Sequence, residues 1–173
     1  MKQVKLCAHV SFYFFHAPML PVSLDKFDRR LLALLQQNNR LPLRSLAAEV
    51  GVSAPTCLRR MRRLKSLGVI RAHAALLDAT LVGYAVTAFV EVTLANASGS
   101  EMSAFERRME RCPEVTQCAE MAGDVDYLLT VVARDLAAFS EFTRAQFAAD
   151  RHVRAYRSLL VMRQTKSGHV LPV

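Results

Sequence analysis

The sequence predicts an α+β protein in two parts, a winged helix-turn-helix followed by a ferredoxin-like β-α-β-β-α-β unit. Two observations predict it. Apolar residues recur at helical spacing through three short segments up to Leu67, then switch to a strand and helix alternation from Ala85 onward. The positive charge is also confined to the first part: residues 24–77 carry eleven Lys/Arg against three acids, and residues 78–173 carry ten against twelve. A charge split of that kind points to a polyanionic partner for one half only.

Each element has a local reason. Asp25 caps a first helix whose apolar face is Phe27, Leu31, Leu34 and Leu35, with Asp28 in its first turn. Asn38-Asn39 ends it. Pro42 starts a second helix through Leu46, Ala47 and Val50, and Gly51 breaks it. Ser53 caps a third helix from about Ala54 to Leu67, with Pro55 in the first turn and Gly68 as the stop. Val69–Leu77 reads as the wing strand. Residues 78–84 read as a linker. Ala85–Leu94 alternates like a strand, Glu101–Arg111 is an amphipathic helix, and Val115–Met121 and Tyr127–Ala133 are strands around a turn at Gly123-Asp124. Asp135 caps a helix to about Ala149, and Val153–Thr165 is the last strand, so the ferredoxin-like unit spans 85–166 and a tail spans 167–173.

Composition excludes several classes. The chain has 173 residues, 52% hydrophobic and 22% charged, which suits soluble domains with cores of their own. Its four cysteines form no CxxC pair, and its five histidines lack ligand spacing. Reduced thiols in a cytoplasmic protein without metal or cofactor are therefore expected. Residues 1–23 place Lys2 and Lys5 before a short apolar run, Val10–Phe15, an order of parts that a signal peptide shares. The run is too short to span a bilayer and no small-residue cleavage site follows. A poorly ordered extension is expected there, with Met19 as a possible true start.

The first part has the pieces of a DNA reader. Leu46, Ala47 and Val50 brace one helix against the next, and Gly51-Val52-Ser53 supplies the turn. Leu58, Met61, Leu64 and Leu67, three residues apart, are expected to face inward. Arg59, Arg60, Arg62, Arg63 and Lys65 then occupy the remaining surface. Arginine pairs with guanine edges through two bonds or with phosphate. Thr56, Arg59 and Arg60, near the helix start with Ser53, are candidates for base contact, and Arg62, Arg63 and Lys65 for phosphate contact. A charge run alone is ordinarily a solvated helix face. Here it lies on the predicted recognition helix of a three-helix unit, which favours double-stranded DNA as partner.

In the second part, Asp124 and Asp126 alternate about Val125. Paired carboxylates perform acid–base work in some sites, but no nucleophile accompanies them, and Asp after Gly commonly bonds its own backbone in a turn. A ferredoxin-like sheet has helices on one side only, so apolar residues on its bare side need cover from another subunit. Val86, Ala88 and Val90, or Leu129 and Val131, are the candidates for that side.

Three stretches resemble the Lrp/AsnC family of feast-or-famine transcriptional regulators: Leu24-Asp25-Lys26-Phe27-Asp28, Ser53-Ala54-Pro55-Thr56-Cys57-Leu58-Arg59-Arg60, and Gly123-Asp124-Val125-Asp126-Tyr127-Leu128-Leu129. The resemblance covers about residues 24–166. It implies a sequence-specific DNA-binding regulator, not an enzyme, that forms a homodimer through the ferredoxin-like (RAM) domain and assembles further into an octamer. It also implies a small effector, an amino acid, bound at a subunit interface near Met121, Gly123, Asp124, Asp126 and Tyr127. A carboxylate there would hold the effector's ammonium group, and backbone N–H groups near Gly123 its carboxylate. Two alternatives accompany this reading: an architectural DNA-binding protein without effector, and a decarboxylase built on the same two domains, which the arginine-dense helix argues against.

Overall fold

The computed structural model describes residues 21–166, 168 and 170–173. The expected extension over 1–23, with Met19, lies outside the described residues except for its last three. The described chain divides into two compact units: residues 77–164, and residues 21–76 together with those from 165 onward.

The helical unit follows its caps. Helix α1 is Lys26–Gln37; the Asp25 carboxylate accepts from the Asp28 N–H at 2.8 Å while Asp28 accepts from the Asp25 N–H at 3.4 Å, a reciprocal capping box. Helix α2 is Leu43–Val50 and stops at Gly51, whose φ of 79° is left-handed and suits a residue without Cβ. Helix α3 is Ala54–Ser66. Leu31, Leu32, Leu35, Leu46, Ala47, Val50, Cys57 and Leu64 close the core between the three helices. The Gln36 side chain pairs with both backbone groups of Leu171, at 3.1 and 2.7 Å, so the C-terminal residues lie along α1.

Two expectations change here. The inward face of α3 is Cys57 and Leu64 with Ala54 and Met61 beside them, while Leu58 is half-buried and Leu67 exposed. A strict three-residue spacing drifts around a helix of about 3.6 residues per turn, so Leu58 and Leu67 leave the face that Leu64 holds. The wing strand expected over Val69–Leu77 is not formed: residues 71–78 have no regular secondary structure, and Leu76 and Leu77 are exposed. Past Val69 and Ile70 the stretch holds no β-branched residue and is rich in alanine, so little favours a strand there.

The second unit is a four-stranded antiparallel sheet ordered β2-β3-β1-β4, with β1 Val86–Leu94, β2 Val115–Glu120, β3 Tyr127–Ala133 and β4 Val153–Leu160. Helix α4 is Gly99–Glu110, capped by Ser98, and α5 is Leu136–Thr143, capped by Asp135. The helix expected to run to Ala149 changes at Arg144 into a five-residue π turn that carries Phe147 into the core, edge-on to Phe142. Alternate residues of β1 and β3 (Ala88, Val90, Val92 and Tyr127, Leu129, Val131) pack beneath Phe105, Met109, Phe139 and Phe142.

A further correction follows from that parity. Ala88, Val90, Leu129 and Val131 are fully buried under the helices, and Val86 packs against them, so none of the five lies on the bare side. A shift of one residue along a strand exchanges the two faces. The bare side instead presents Phe89, Glu91, Leu128, Thr130, Arg157 and Leu159.

Candidate nucleic-acid interface and effector loop

The polar face of α3 sorts its basic residues into two groups. Successive residues turn by about 100°, so Arg59 and Arg62 project farthest from Cys57 and Leu64. Both are exposed and, with Lys65, have no ion-pair partner among the described residues. Arg60 and Arg63 lie on the side turned to α1. Arg60 Nη1 bonds Asp25 Oδ2 at 2.6 Å and Asp28 Oδ1 at 2.8 Å, and its guanidinium stacks 5.3 Å from the centre of the Phe27 ring. Arg63 Nη1 bonds Asp28 Oδ2 at 3.2 Å, and its Nη2 donates to the Ser23 carbonyl at 3.5 Å.

This places two of the expected DNA residues in the architecture of the helical unit. Arg60, expected at bases, is a half-buried ion-pair residue. Its pKa is raised by the hydrogen bond to Asp28 and then by that to Asp25. Asp25 is held below the ordinary carboxylate range by the Asp28 N–H and then by the Arg60 guanidinium. Asp28 is only 2% exposed, and charge buried to that degree must be paired. Periodicity gave no sign of this pair, which joins positions 32 residues apart. The available signal was chemical: acids at the head of a basic domain need cationic partners.

Ser53 is exposed and Thr56 half-buried. The Ser53 hydroxyl donates to Thr56 Oγ1 at 3.0 Å and makes no capping bond to the amides of the first turn. Those amides and the exposed Arg59 and Arg62 lie at the start and along the outer side of one helix. Helix N-termini and arginines both favour phosphate oxygens.

The loop between β2 and β3 also divides. Met121, Gly123 and Asp124 are exposed. Asp126 is turned inward: its Oδ2 accepts from the Leu94 N–H at 2.7 Å, its N–H donates to the Val92 carbonyl, and its carbonyl accepts from Met121. Tyr127 is buried against Phe105, ring centres 4.7 Å apart, and its hydroxyl donates to Glu106 Oε1 at 3.0 Å. Burial, and then Glu106, push its phenol far above the ordinary range. So Asp124 and Asp126 do not act as a matched pair, and Tyr127 belongs to the core. Next to Leu94, the Arg108–Asp150 ion pair, with Glu101 and His152 3.4 Å apart, lines a cavity of about 140 Å³ that sequence reading did not anticipate. Among the described residues no group of three or more His, Cys, Asp or Glu could hold a metal ion, and no helix is long and apolar enough to cross a membrane.

A helix-turn-helix with free arginines on its outer helix, followed by a separate α+β unit, is the architecture of a DNA-binding transcriptional regulator. Comparison with known proteins is specific. An AsnC-type helix-turn-helix domain matches residues 24–65, and a Lrp/AsnC ligand binding domain matches residues 87–171. A leucine-responsive regulatory protein of Rhizobium meliloti is 40% identical over 147 residues, covering 85% of this chain and 94% of that protein. The crystal structure of an AsnC family transcriptional regulator from Agrobacterium tumefaciens matches with a TM-score of 0.81 at 38% identity, over 86% of this chain and 97% of that one. A transcriptional regulator from Neisseria meningitidis, solved as a complex with L-Met, matches with a TM-score of 0.82 at 33% identity, over 87% and 97%. The chain belongs to the Lrp/AsnC family: it is a DNA-binding transcriptional regulator with a ligand-binding domain, and not an enzyme.

Proposed function

We propose that the chain is a cytoplasmic, sequence-specific regulator that works as a homodimer and responds to an amino acid. The observation that carries the DNA reading is the sorting of α3: Arg59 and Arg62 stand exposed and unpaired on the outer side. They meet base edges and phosphates when α3 enters the major groove, with Thr56 and Ser53 at its leading end and Lys65 on a flank.

The dimer reading rests on the bare side of the sheet. Phe89 and Leu159 are register partners and are 39% and 44% exposed; Leu128 lies on the same side. Beside them Glu91 and Arg157 form a two-bonded ion pair at 2.7 and 2.9 Å. An apolar centre with a paired polar margin suits a second copy related by two-fold symmetry. Dimers joined further, up to an octamer, would present several α3 helices to one stretch of DNA.

The effector reading is supported by the family match of the second unit and by the L-Met complex of the Neisseria meningitidis regulator. In this chain Met121, Gly123 and Asp124 form the exposed part of the loop, where a carboxylate faces an ammonium group. Asp126 and Tyr127 hold that loop to β1 and α4. Effector binding at a subunit interface favours one assembly over another and so changes which DNA half-sites are engaged together.

The test is a gel shift of the purified protein on the DNA upstream of its own coding region, with random competitor present and each of the twenty amino acids added in turn. A retained complex whose affinity or band ladder changes with one amino acid supports the whole reading. Binding that vanishes under competitor and ignores all twenty supports an architectural protein instead.

A further inference from the structure

We propose that Asp28 is a positioning residue that sets the DNA selectivity of α3 by withholding Arg60 and Arg63 from the phosphate backbone. The inference rests on α3 being the DNA-reading helix and adds a residue on α1 that never touches DNA.

The geometry is that of a clamp. Each oxygen of the Asp28 carboxylate takes one guanidinium, Oδ1 from Arg60 at 2.8 Å and Oδ2 from Arg63 at 3.2 Å. The two arginines are three residues apart and therefore neighbours on one face of α3. One buried carboxylate thus fixes α3 at two points along its length and turns that face toward α1. Asp25 adds a second bond to Arg60, and the Ser23 carbonyl a second to Arg63. The rotation of α3 about its own axis decides where Arg59 and Arg62 point, so the clamp also orients the side chains that read DNA.

The electrostatic consequence is separate from the orientation. Affinity for DNA of any sequence grows with the number of phosphates that cations neutralise, and its salt dependence counts them, about 0.9 in the log–log slope per phosphate. Five basic side chains lie on α3 between positions 59 and 65. Two are bonded to acids at the start of α1. Sequence-independent attraction is held down while Arg59 and Arg62 remain free for base edges. Selectivity is the ratio of the two affinities, and Asp28 raises it from the non-specific side.

The experiment uses the full chain and two duplexes of equal length, one recovered from a randomised pool by the wild-type protein and one of random sequence. Anisotropy titrations over a series of NaCl concentrations give the salt slope and the preference ratio. Asp28→Asn keeps the shape and removes the charge, releasing Arg63 while Arg60 keeps Asp25. The slope on random duplex steepens by about 1 per protomer, and the preference ratio falls about tenfold or more. The Asp25→Ser, Asp28→Asn double variant releases both arginines and steepens the slope by about 2. A folded variant with the wild-type slope and ratio overturns the proposal, as does a loss of affinity that is equal on both duplexes, which a purely structural role would give. If Asp28→Asn does not fold, Arg63→Gln tests the same idea: an arginine already held by Asp28 neutralises no phosphate, so an unchanged slope on random duplex supports it and a slope shallower by about 1 overturns it. A wild-type protein that recovers no duplex from the pool removes the DNA reading of α3 itself, a result distinct from failure of the clamp alone.

Discussion

Phe89→Ser tests the assembly reading at its centre. Phe89 points away from the helices and is 39% exposed in the single chain. A Phe side chain carries roughly 200 Å², so about 80 Å² awaits cover, worth about 2 kcal/mol at about 25 cal/mol per Å². A two-fold interface uses each residue twice, which brings the loss to about 4 kcal/mol, or about a thousandfold in the dimer Kd. The core beneath β1 is untouched, since Ala88 and Val90 face the other way. Sedimentation equilibrium over a dilution series reads the Kd, and circular dichroism confirms the fold. A variant that dimerises within threefold of wild type, or a wild type that is monomeric throughout, refutes the placement of the interface on this face.

Other predictions follow from single groups. Asp126→Ala leaves the Leu94 N–H without its acceptor, which lowers the stability of the second unit by about 1–3 kcal/mol; an unchanged urea midpoint would contradict it. Asp25 and Glu91 are both depressed in the folded chain, Asp25 by the Asp28 N–H and then Arg60, Glu91 by Arg157. Depressed carboxylates contribute stability above their unfolded value of about 4, and that contribution is lost as pH falls through the folded value. The Tm is therefore insensitive to these groups from pH 5 to 8 and falls between pH 4 and 3; an equal Tm at pH 3 and pH 7 would exclude their contribution. Gly51→Ala places a Cβ at φ 79° with nothing else within 4 Å, so the loss is conformational, about 1–2 kcal/mol, read from the urea midpoint of the helical unit.

The order of elements was legible because each has a local cause. Asp25, Pro42, Gly51, Ser53 and Asp135 stand where helices start or stop, and the β-α-β-β-α-β order follows from the switch in apolar spacing. What escaped depends on partners distant in sequence or on parity. Cys57 fills the place given to Leu58 because a small thiol side chain also packs as a hydrophobe. Alternation on β1 separates apolar Val86, Ala88, Val90, Val92 and Leu94 from Thr87, Phe89, Glu91 and Thr93, but does not say whether helices or a second subunit cover the apolar set. The site was legible as a basic helix and an acidic loop. Its division into working and structural members was not, since Arg60 is set apart from Arg59 by Asp25 and Asp28 on another helix, and Asp126 from Asp124 by the Leu94 N–H on another strand. The wing expected over Val69–Leu77 rested on Val69 and Ile70 alone; residues 71–78 hold no β-branched residue and have no partner edge.

DNA recognition by this chain depends on the outer face of α3. The decisive measurement is the anisotropy of a wild-type-selected duplex bound by the full chain, compared with Arg59→Ala and Arg62→Ala. Loss of an exposed, unpaired arginine leaves the melting temperature unchanged. Binding weakens by about 1–3 kcal/mol, and preference relaxes at the bases that arginine reads. Wild-type affinity and preference in both variants would contradict the claim that this helix face reads DNA.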